Sequence, residues 1–409
     1  MGYTTDDFII LEDKYGAHNY HPLPVVLEKG SGAYMWDVAG KRYVDFLSAY
    51  SAVNQGHCHP AIIQALTEQA TKLTLTSRAF YNANLGPTEQ FLSELFGFDK
   101  VLMMNSGAEA VETALKLCRK WAYKVKGIPE NRAKILVVKN NFHGRTLGII
   151  SASNDPMSTN EFGPFLPGFQ MIPYNDYDAL EGALLEDPFI AGLLIEPIQG
   201  EAGVVVPDDE YLIKARKICS ETNVLFMADE IQTGIARTGK MLCIDHLNIK
   251  PDILILGKAL SGGVLPVSAV LANDAIMLTI KPGEHGSTYG GNPLACAVVI
   301  AAMKVIIDEK LADRAAYLGD IFREQLAEKL KDCQLVAEVR GKGLLNAVEL
   351  TTTENSDTAW DICLALKEKG LLAKPTHGNK IRFAPPLIIE EAELHKCIEI
   401  IAEVILDFA

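Results

Sequence analysis

Asp252-Ile-Leu-Ile-Leu-Gly-Lys-Ala-Leu-Ser-Gly-Gly263 sets a lysine directly behind four consecutive apolar residues and in front of a Gly-rich turn. An uninterrupted apolar run of this length predicts a strand covered on both faces, as in a parallel sheet packed between helices. Val224-Leu-Phe-Met-Ala-Asp-Glu230 has the same form and ends in two acids. Working outward, further runs at Val101–Met104, Ile135–Val138, Ala191–Ile195 and Val267–Leu271 alternate with helix-spaced stretches at Ala108–Lys124, Tyr177–Leu185 and Asp209–Glu221. That order predicts an open α/β sheet, mainly parallel, whose ligands bind beyond the carboxyl ends of the strands.

Past Gly283–Gly291 an apolar-rich helix is expected at Pro293–Glu309. Helices at Ala312–Leu330, Thr358–Lys369 and Glu390–Leu406 then alternate with strands at Leu335–Arg340, Leu344–Leu350 and Ile381–Ala384. This is an α+β pattern. The opening residues carry hairpin-like runs at Tyr34–Val38 and Arg42–Phe46. The expected organisation is an N-terminal segment, 1–50, packing with a small C-terminal domain, 293–409, beside a large α/β domain, 51–292.

The 409 residues, 48% of them hydrophobic, are enough for an extensive core. Lys+Arg of 38 against Asp+Glu of 52 gives a net charge of −14 with no basic run, which argues against nucleic acid as a partner. The eight cysteines, scattered without a C-x-x-C pair, read as core thiols of a reducing compartment. Met1-Gly-Tyr3 and the residues after it lack a signal-peptide or presequence pattern, and no window approaches a membrane span, so a cytoplasmic protein is expected. His57-Cys-His59 has too few companions for a metal site and reads as a turn; no metal is expected.

Four features place chemistry where this fold puts ligands. Lys258 is an amine behind a buried strand, where desolvation makes it a nucleophile; Ala259 in place of Ser or Thr excludes a Walker A reading. Asp229 closes the neighbouring strand. Asn105-Ser-Gly-Ala-Glu109 opens a helix, so Ser106, Gly107 and Ala108 are expected to offer free N–H groups to a phosphate. Phe142-His-Gly-Arg145 supplies a stacking ring and a cation. An amine, a carboxylate, an anion cradle and an aromatic face together suit pyridoxal 5′-phosphate, whose ring accepts electrons when a carboxylate keeps its nitrogen protonated.

The chain resembles the class III (subgroup II) aminotransferases over nearly its whole length, and within them the ornithine branch. The likeness rests on Tyr15-Gly-Ala-His-Asn-Tyr-His-Pro-Leu-Pro24, Ser48-Ala-Tyr-Ser-Ala-Val-Asn-Gln-Gly-His-Cys-His-Pro60, Asn105-Ser-Gly-Ala-Glu109, Phe142-His-Gly-Arg145, Glu196-Pro-Ile-Gln-Gly-Glu201, Asp229-Glu-Ile-Gln-Thr-Gly234, Gly286-Ser-Thr-Tyr-Gly-Gly-Asn-Pro293 and Arg382-Phe-Ala-Pro-Pro386, besides the Lys258 block. It implies fold type I, Lys258 as the covalent attachment point, Asp229 on the ring nitrogen, Phe142 stacked on the ring and Gln232 on its phenolic oxygen. Ser106, Gly107 and Ala108 would hold the phosphate from one subunit, with Thr288 and Ser287 reaching it from the partner of a homodimer or a larger assembly. For substrate, it implies Arg145 on the distal carboxylate, Tyr20 near the α-amino group, Tyr50 shaping the pocket, and Glu201 pairing with Arg382 until a keto acid takes that arginine.

The implied reaction moves the δ-amino group of L-ornithine to 2-oxoglutarate in two half-reactions. Acetylornithine and 4-aminobutyrate aminotransferases share the cofactor residues, and an aminomutase like that acting on glutamate 1-semialdehyde uses the same fold. A non-catalytic binding protein would have no need of Lys258, Asp229, Arg145 and Glu201 together.

Overall fold

The computed structural model describes residues 3–409, so the first two residues of the expected N-terminal segment lie outside it. A seven-stranded sheet forms the centre. Its strands are β1 (Lys100–Met104), β2 (Lys134–Val138), β3 (Phe169–Ile172), β4 (Ile190–Ile195), β5 (Leu225–Asp229), β6 (Ile253–Leu256) and β7 (Ser268–Ala272). They lie side by side in the order β1-β7-β6-β5-β4-β2-β3. β4, β5 and β6 are buried at every position, as their unbroken apolar runs require of strands covered on both faces.

β7 is the exception in this mainly parallel sheet, because it runs antiparallel to both of its neighbours, β1 and β6. The physical reason is the connection. A parallel return needs a crossover, usually through a helix, whereas residues 257–267 form only a short turn over Lys258–Ser261 before the chain comes back. The sequence reading also missed β3, a partly exposed edge strand, and helices at Thr5–Tyr15, Pro60–Ala70 and Leu85–Phe96.

Two four-stranded sheets complete the molecule. In one, Leu27–Ser31, Tyr34–Asp37 and Arg42–Asp45 form a meander whose last strand pairs in parallel with Leu371–Leu372, tying the first residues to the last third of the chain. The other is antiparallel, in the order Val336–Lys342, Leu345–Leu350, Lys380–Phe383, Lys374–Pro375. Phe46, Phe322 and Phe383 meet between them, with ring centroids 5.9–6.2 Å apart. Arg237, wholly buried, links these parts to the central sheet. It donates to Leu344 O at 2.9 Å, Pro385 O at 2.6 Å and Asn54 Oδ1 at 2.6 Å. Every partner is neutral, and burial pushes the guanidinium down to about 9.

Seven of the eight cysteines are buried and all are free; Cys58 is exposed, contrary to a reading of all eight as core thiols. It sits in the left-handed region between two anchored histidines, His57 on Asp45 at 2.8 Å and His59 on Glu309 at 2.9 Å. Among the described residues no helix is long and apolar enough to cross a membrane, and no group of three or more His, Cys, Asp or Glu side chains is placed to hold a metal ion.

Candidate active site

The carboxyl ends of β4, β5 and β6 open on one cavity of about 140 Å³. Asp229, the last residue of β5, lines it and is 4% exposed. One carboxylate oxygen accepts from Ile231 N at 3.1 Å and the other lies 2.7 Å from His143 Nδ1. Burial works against a charge on His143, but the hydrogen bond and field of Asp229 prevail and raise its pKa. Glu196, just beyond β4, accepts from Phe142 N at 2.8 Å; burial pushes its carboxyl up to about 7.

Lys258 follows β6 through Gly257 and lines the same cavity. Its φ of +43° is in the left-handed region, a strained conformation for a lysine of the kind found at functional sites. The side chain is partly open to the cavity yet surrounded by protein. That burial pushes its amine below the usual lysine value, against the raising pull of Glu201. Gly107, Ala108 and Phe142 form another wall. Ser106 caps the helix Gly107–Trp121 in a reciprocal box with Glu109, whose carboxylate accepts from Asn105 N at 2.9 Å and Ser106 N at 3.0 Å. The expectation of three free N–H groups therefore fails at Ser106, because a side chain four residues beyond Asn105 folds back onto the cap. Those of Gly107 and Ala108 have no acceptor among the described residues.

Glu201 also lines the cavity and accepts from Arg382 Nη1 at 2.8 Å and Gln232 Nε2 at 3.0 Å. Burial pushes its carboxyl up, but the Arg382 and Lys258 charges and these hydrogen bonds outweigh it and hold it at about 2. Arg382 comes from the strand Lys380–Phe383, is 2% exposed, and lies 5.0 Å from the centroid of the Tyr50 ring. Tyr50 reaches it from a left-handed turn: Ser48, Ala49, Tyr50 and Ser51 all have φ between +45° and +71°. Each such residue costs about 1–2 kcal/mol in an L-chain. The turn is held by Asp45 Oδ1, which accepts from Leu47 N and Ser48 N at 2.8 Å, and by Ser48 Oγ, which donates to Ala384 O at 2.7 Å.

Arg145 lies outside the cavity, its guanidinium 5.4 Å from the Phe142 ring centroid and Nη1 donating to Ser158 Oγ at 2.8 Å. With Tyr20, which is 74% exposed, and Lys374, it lines a larger open groove. Ser287 Oγ accepts from Asn105 Nδ2 at 2.7 Å, close to the helix start, whereas Thr288 is exposed and lines no part of its own chain's cavity. The structure thus gathers Lys258, Asp229, Gly107, Ala108, Phe142, Gln232 and Glu201 around one space, and sets Arg382 and Tyr50 directly behind it.

A family model described as aminotransferase class-III matches residues 15–405. The chain belongs to the class III aminotransferases. Among its relatives, a protein named ornithine aminotransferase, mitochondrial, from Drosophila ananassae is 62% identical over 395 residues, spanning 97% of this chain and 90% of that protein. The solved ornithine aminotransferase of Toxoplasma gondii ME49 superposes with a TM-score of 0.97 at 50% identity, over 100% of this chain and 96% of the other. A structure named acetylornithine aminotransferase, from Elizabethkingia anophelis, is 58% identical with a TM-score of 0.92 and covers both chains completely.

In this class III aminotransferase two residues that line the cavity carry a buried polar atom with no partner among the described residues, His143 Nε2 and Gln232 Oε1. Such atoms are costly unless a ligand or water meets them. The cavity offers the Phe142 ring, the Asp229 carboxylate and the unpaired N–H groups of Gly107 and Ala108, a donor set whose chemistry suits a flat basic ring bearing an anion. Sequence reasoning assigned nothing to His143 or Glu196, although both stood inside quoted motifs. The one available signal for Glu196 was its position after a buried strand, equivalent to that of Asp229; His143 gave none, because its partner is 86 residues away.

Proposed function

We propose that this chain is an ornithine aminotransferase that holds pyridoxal 5′-phosphate in the cavity between Lys258 and Asp229 and transfers the δ-amino group of L-ornithine to 2-oxoglutarate, giving glutamate 5-semialdehyde and glutamate. The observation that carries the proposal is the convergence of a desolvated lysine, a buried aspartate and an aromatic face on one cavity of about 140 Å³. When bound, the cofactor supplies an aldehyde that takes the amino group and a ring that accepts the electrons of the broken C–H bond.

The chain's own residues do the rest. Lys258 would hold the cofactor covalently, and its amine would move the proton at the reacting carbon. Asp229, oriented by His143, keeps a proton on the ring nitrogen. Phe142 stacks, Gln232 meets the phenolic oxygen, and Gly107 and Ala108 donate to the phosphate beside Ser106. Arg145 takes the distal carboxylate with Tyr20 nearby, while Tyr50 packs against Arg382. Glu201 neutralises Arg382 while ornithine reacts and yields it to the α-carboxylate of 2-oxoglutarate, since a buried guanidinium left alone is costly. The exposed position of Thr288 supports a homodimer in which it reaches a partner subunit's phosphate site, while Ser287, the other residue the resemblance suggests, is held by Asn105 of its own chain. The free cysteines support a reducing, cytoplasmic setting.

The purified protein should be yellow, and borohydride should fix the cofactor to Lys258. Lys258→Ala should lower transamination by about four orders of magnitude; turnover at the wild-type rate would refute the assignment. The 58% identical acetylornithine aminotransferase structure favours a second reading. Equal or better turnover of N-acetylornithine or 4-aminobutyrate than of ornithine would replace the substrate and leave the mechanism standing.

A further inference from the structure

Lys374 is half-buried, lines the outer groove with Arg145 and Tyr20, and has neither an ion pair nor a side-chain hydrogen bond among the described residues. Its place in the fold is specific. The strand Lys374–Pro375 pairs antiparallel with Lys380–Phe383, and Lys374 stands directly opposite Arg382. Opposed residues of an antiparallel pair project from the same face, so the lysine and the arginine share one side of the sheet. Two residues on, Thr376 Oγ1 donates to Glu201 O at 2.5 Å, which draws this strand against the Glu201 loop. Burial lowers the Lys374 pKa, and among nearby charges Glu201 exerts the largest opposing pull.

The proposed exchange of partners at Arg382 leaves a second charge to account for. When a keto-acid carboxylate takes the guanidinium, Glu201 loses its main counter-ion while still largely buried, with 29% of its side chain exposed. A buried carboxylate stripped of its partner is strongly disfavoured. Lys258 is poorly suited to replace it, because pairing with Glu201 would raise its pKa and occupy the amine needed for proton transfer. Gln232 continues to donate one hydrogen bond at 3.0 Å but brings no charge.

We propose that Lys374 is a positioning residue that receives the Glu201 carboxylate when Arg382 turns to the second substrate, so that it sets the enzyme's acceptance of dicarboxylic keto acids without touching them. The inference rests on the ornithine reading above. It predicts an asymmetry: the half-reaction with 2-oxoglutarate needs Lys374 and the half-reaction with ornithine does not, because Glu201 stays on Arg382 throughout the latter.

The test follows the two half-reactions separately by absorbance in single turnovers of the holoenzyme. Lys374→Met, which retains length and removes charge, should lower kcat/KM for 2-oxoglutarate roughly tenfold to a hundredfold while changing the ornithine step less than about threefold. Lys374→Arg should restore most of the loss. In a Glu201→Gln background, where no carboxylate seeks a cation, Lys374→Met should add little; a full additive loss would mean that Lys374 does not act through Glu201. Equal loss in both half-reactions, or a fall in melting temperature that Lys374→Arg does not rescue, would reduce Lys374 to a structural role and overturn the inference. Wild-type protein that does not react with ornithine would instead overturn the functional reading and this inference with it. A wild type that reacts normally beside an unselective Lys374→Met overturns the inference alone.

Discussion

Two carboxylates, Asp229 and Glu201, line the same cavity, and their surroundings differ in kind. Asp229 is 4% exposed, held at the end of β5 by a backbone N–H and by a histidine with no room to leave. Glu201 sits on a loop with 29% of its side chain exposed, and its partner Arg382 has a buried Nε without any acceptor. The first arrangement is over-determined and suits a charge that must stay in one place. The second leaves hydrogen-bonding capacity unspent and suits a charge that changes partner. The static pair is built on the sheet, and the exchangeable one spans a loop of the central part and a strand of a small sheet.

The comparison breaks most sharply at Asp229. Asp229→Asn keeps the shape and removes the charge, and should lower kcat in both half-reactions by roughly 10²- to 10³-fold, corresponding to the 3–5 kcal/mol typical of a severed buried pair. Rapid-quench or absorbance kinetics on each half-reaction would check this; a loss confined to one of them would mean that Asp229 too belongs to a switching pair. Glu201→Ala should act selectively. With Arg382 left open to α-carboxylates, preference among amino donors should move from ornithine towards glutamate by roughly tenfold or more. An unchanged ratio of kcat/KM for the two donors would remove partner exchange from the account.

His143 tests whether Asp229 is held as firmly as its geometry implies. Removing one hydrogen bond to a charged group costs about 1.5–3 kcal/mol, so His143→Asn should slow the chemistry roughly tenfold to hundredfold. The alkaline limb of the pH–rate profile should also move, since the raised His143 pKa depends on Asp229. Unchanged rate and profile would show that β5 alone positions the carboxylate.

The central sheet was legible because its signal is local. β4, β5 and β6 are apolar runs broken only by Asp229 at the end of β5, and the residues at or just beyond their carboxyl ends line the cavity. Where information is not local, the reading failed. The direction of β7 is set by the length of a connection, and β3 is an edge strand whose Gln170 interrupts the apolar run. Ser106 offered a plausible N–H until Glu109 was seen to fold back onto it. The left-handed turn at Ser48–Ser51 has no glycine to announce it and is held in part by contacts with Asp45 and with Ala384, which is distant in sequence. Arg145 was read as a cation beside Phe142, but its role on the substrate carboxylate, like that of Tyr20, came from resemblance. The structure puts them in an outer groove, separate from the 140 Å³ cavity.

Glu230, adjacent to Asp229 in sequence, sharpens the comparison from the other side, because it is a buried carboxylate with no cation at all. It faces away from the cavity and accepts from Cys243 N at 3.0 Å and Ile244 N at 2.9 Å. Burial pushes its carboxyl up from 4.5 to about 7 despite those bonds. The folded protein therefore retains a proton that the unfolded chain releases between those values, and stability falls as pH rises through that window, by about 3 kcal/mol at most. Glu230→Gln should flatten this fall while changing kcat little, with the remaining slope coming from Glu196, which is raised to about 7 in the same way. Urea denaturation at about pH 5 and about pH 8 would measure it. Equal slopes in variant and wild type would mean that the Thr233 hydroxyl and two backbone N–H groups hold the Glu230 charge in the folded protein without help from a cation.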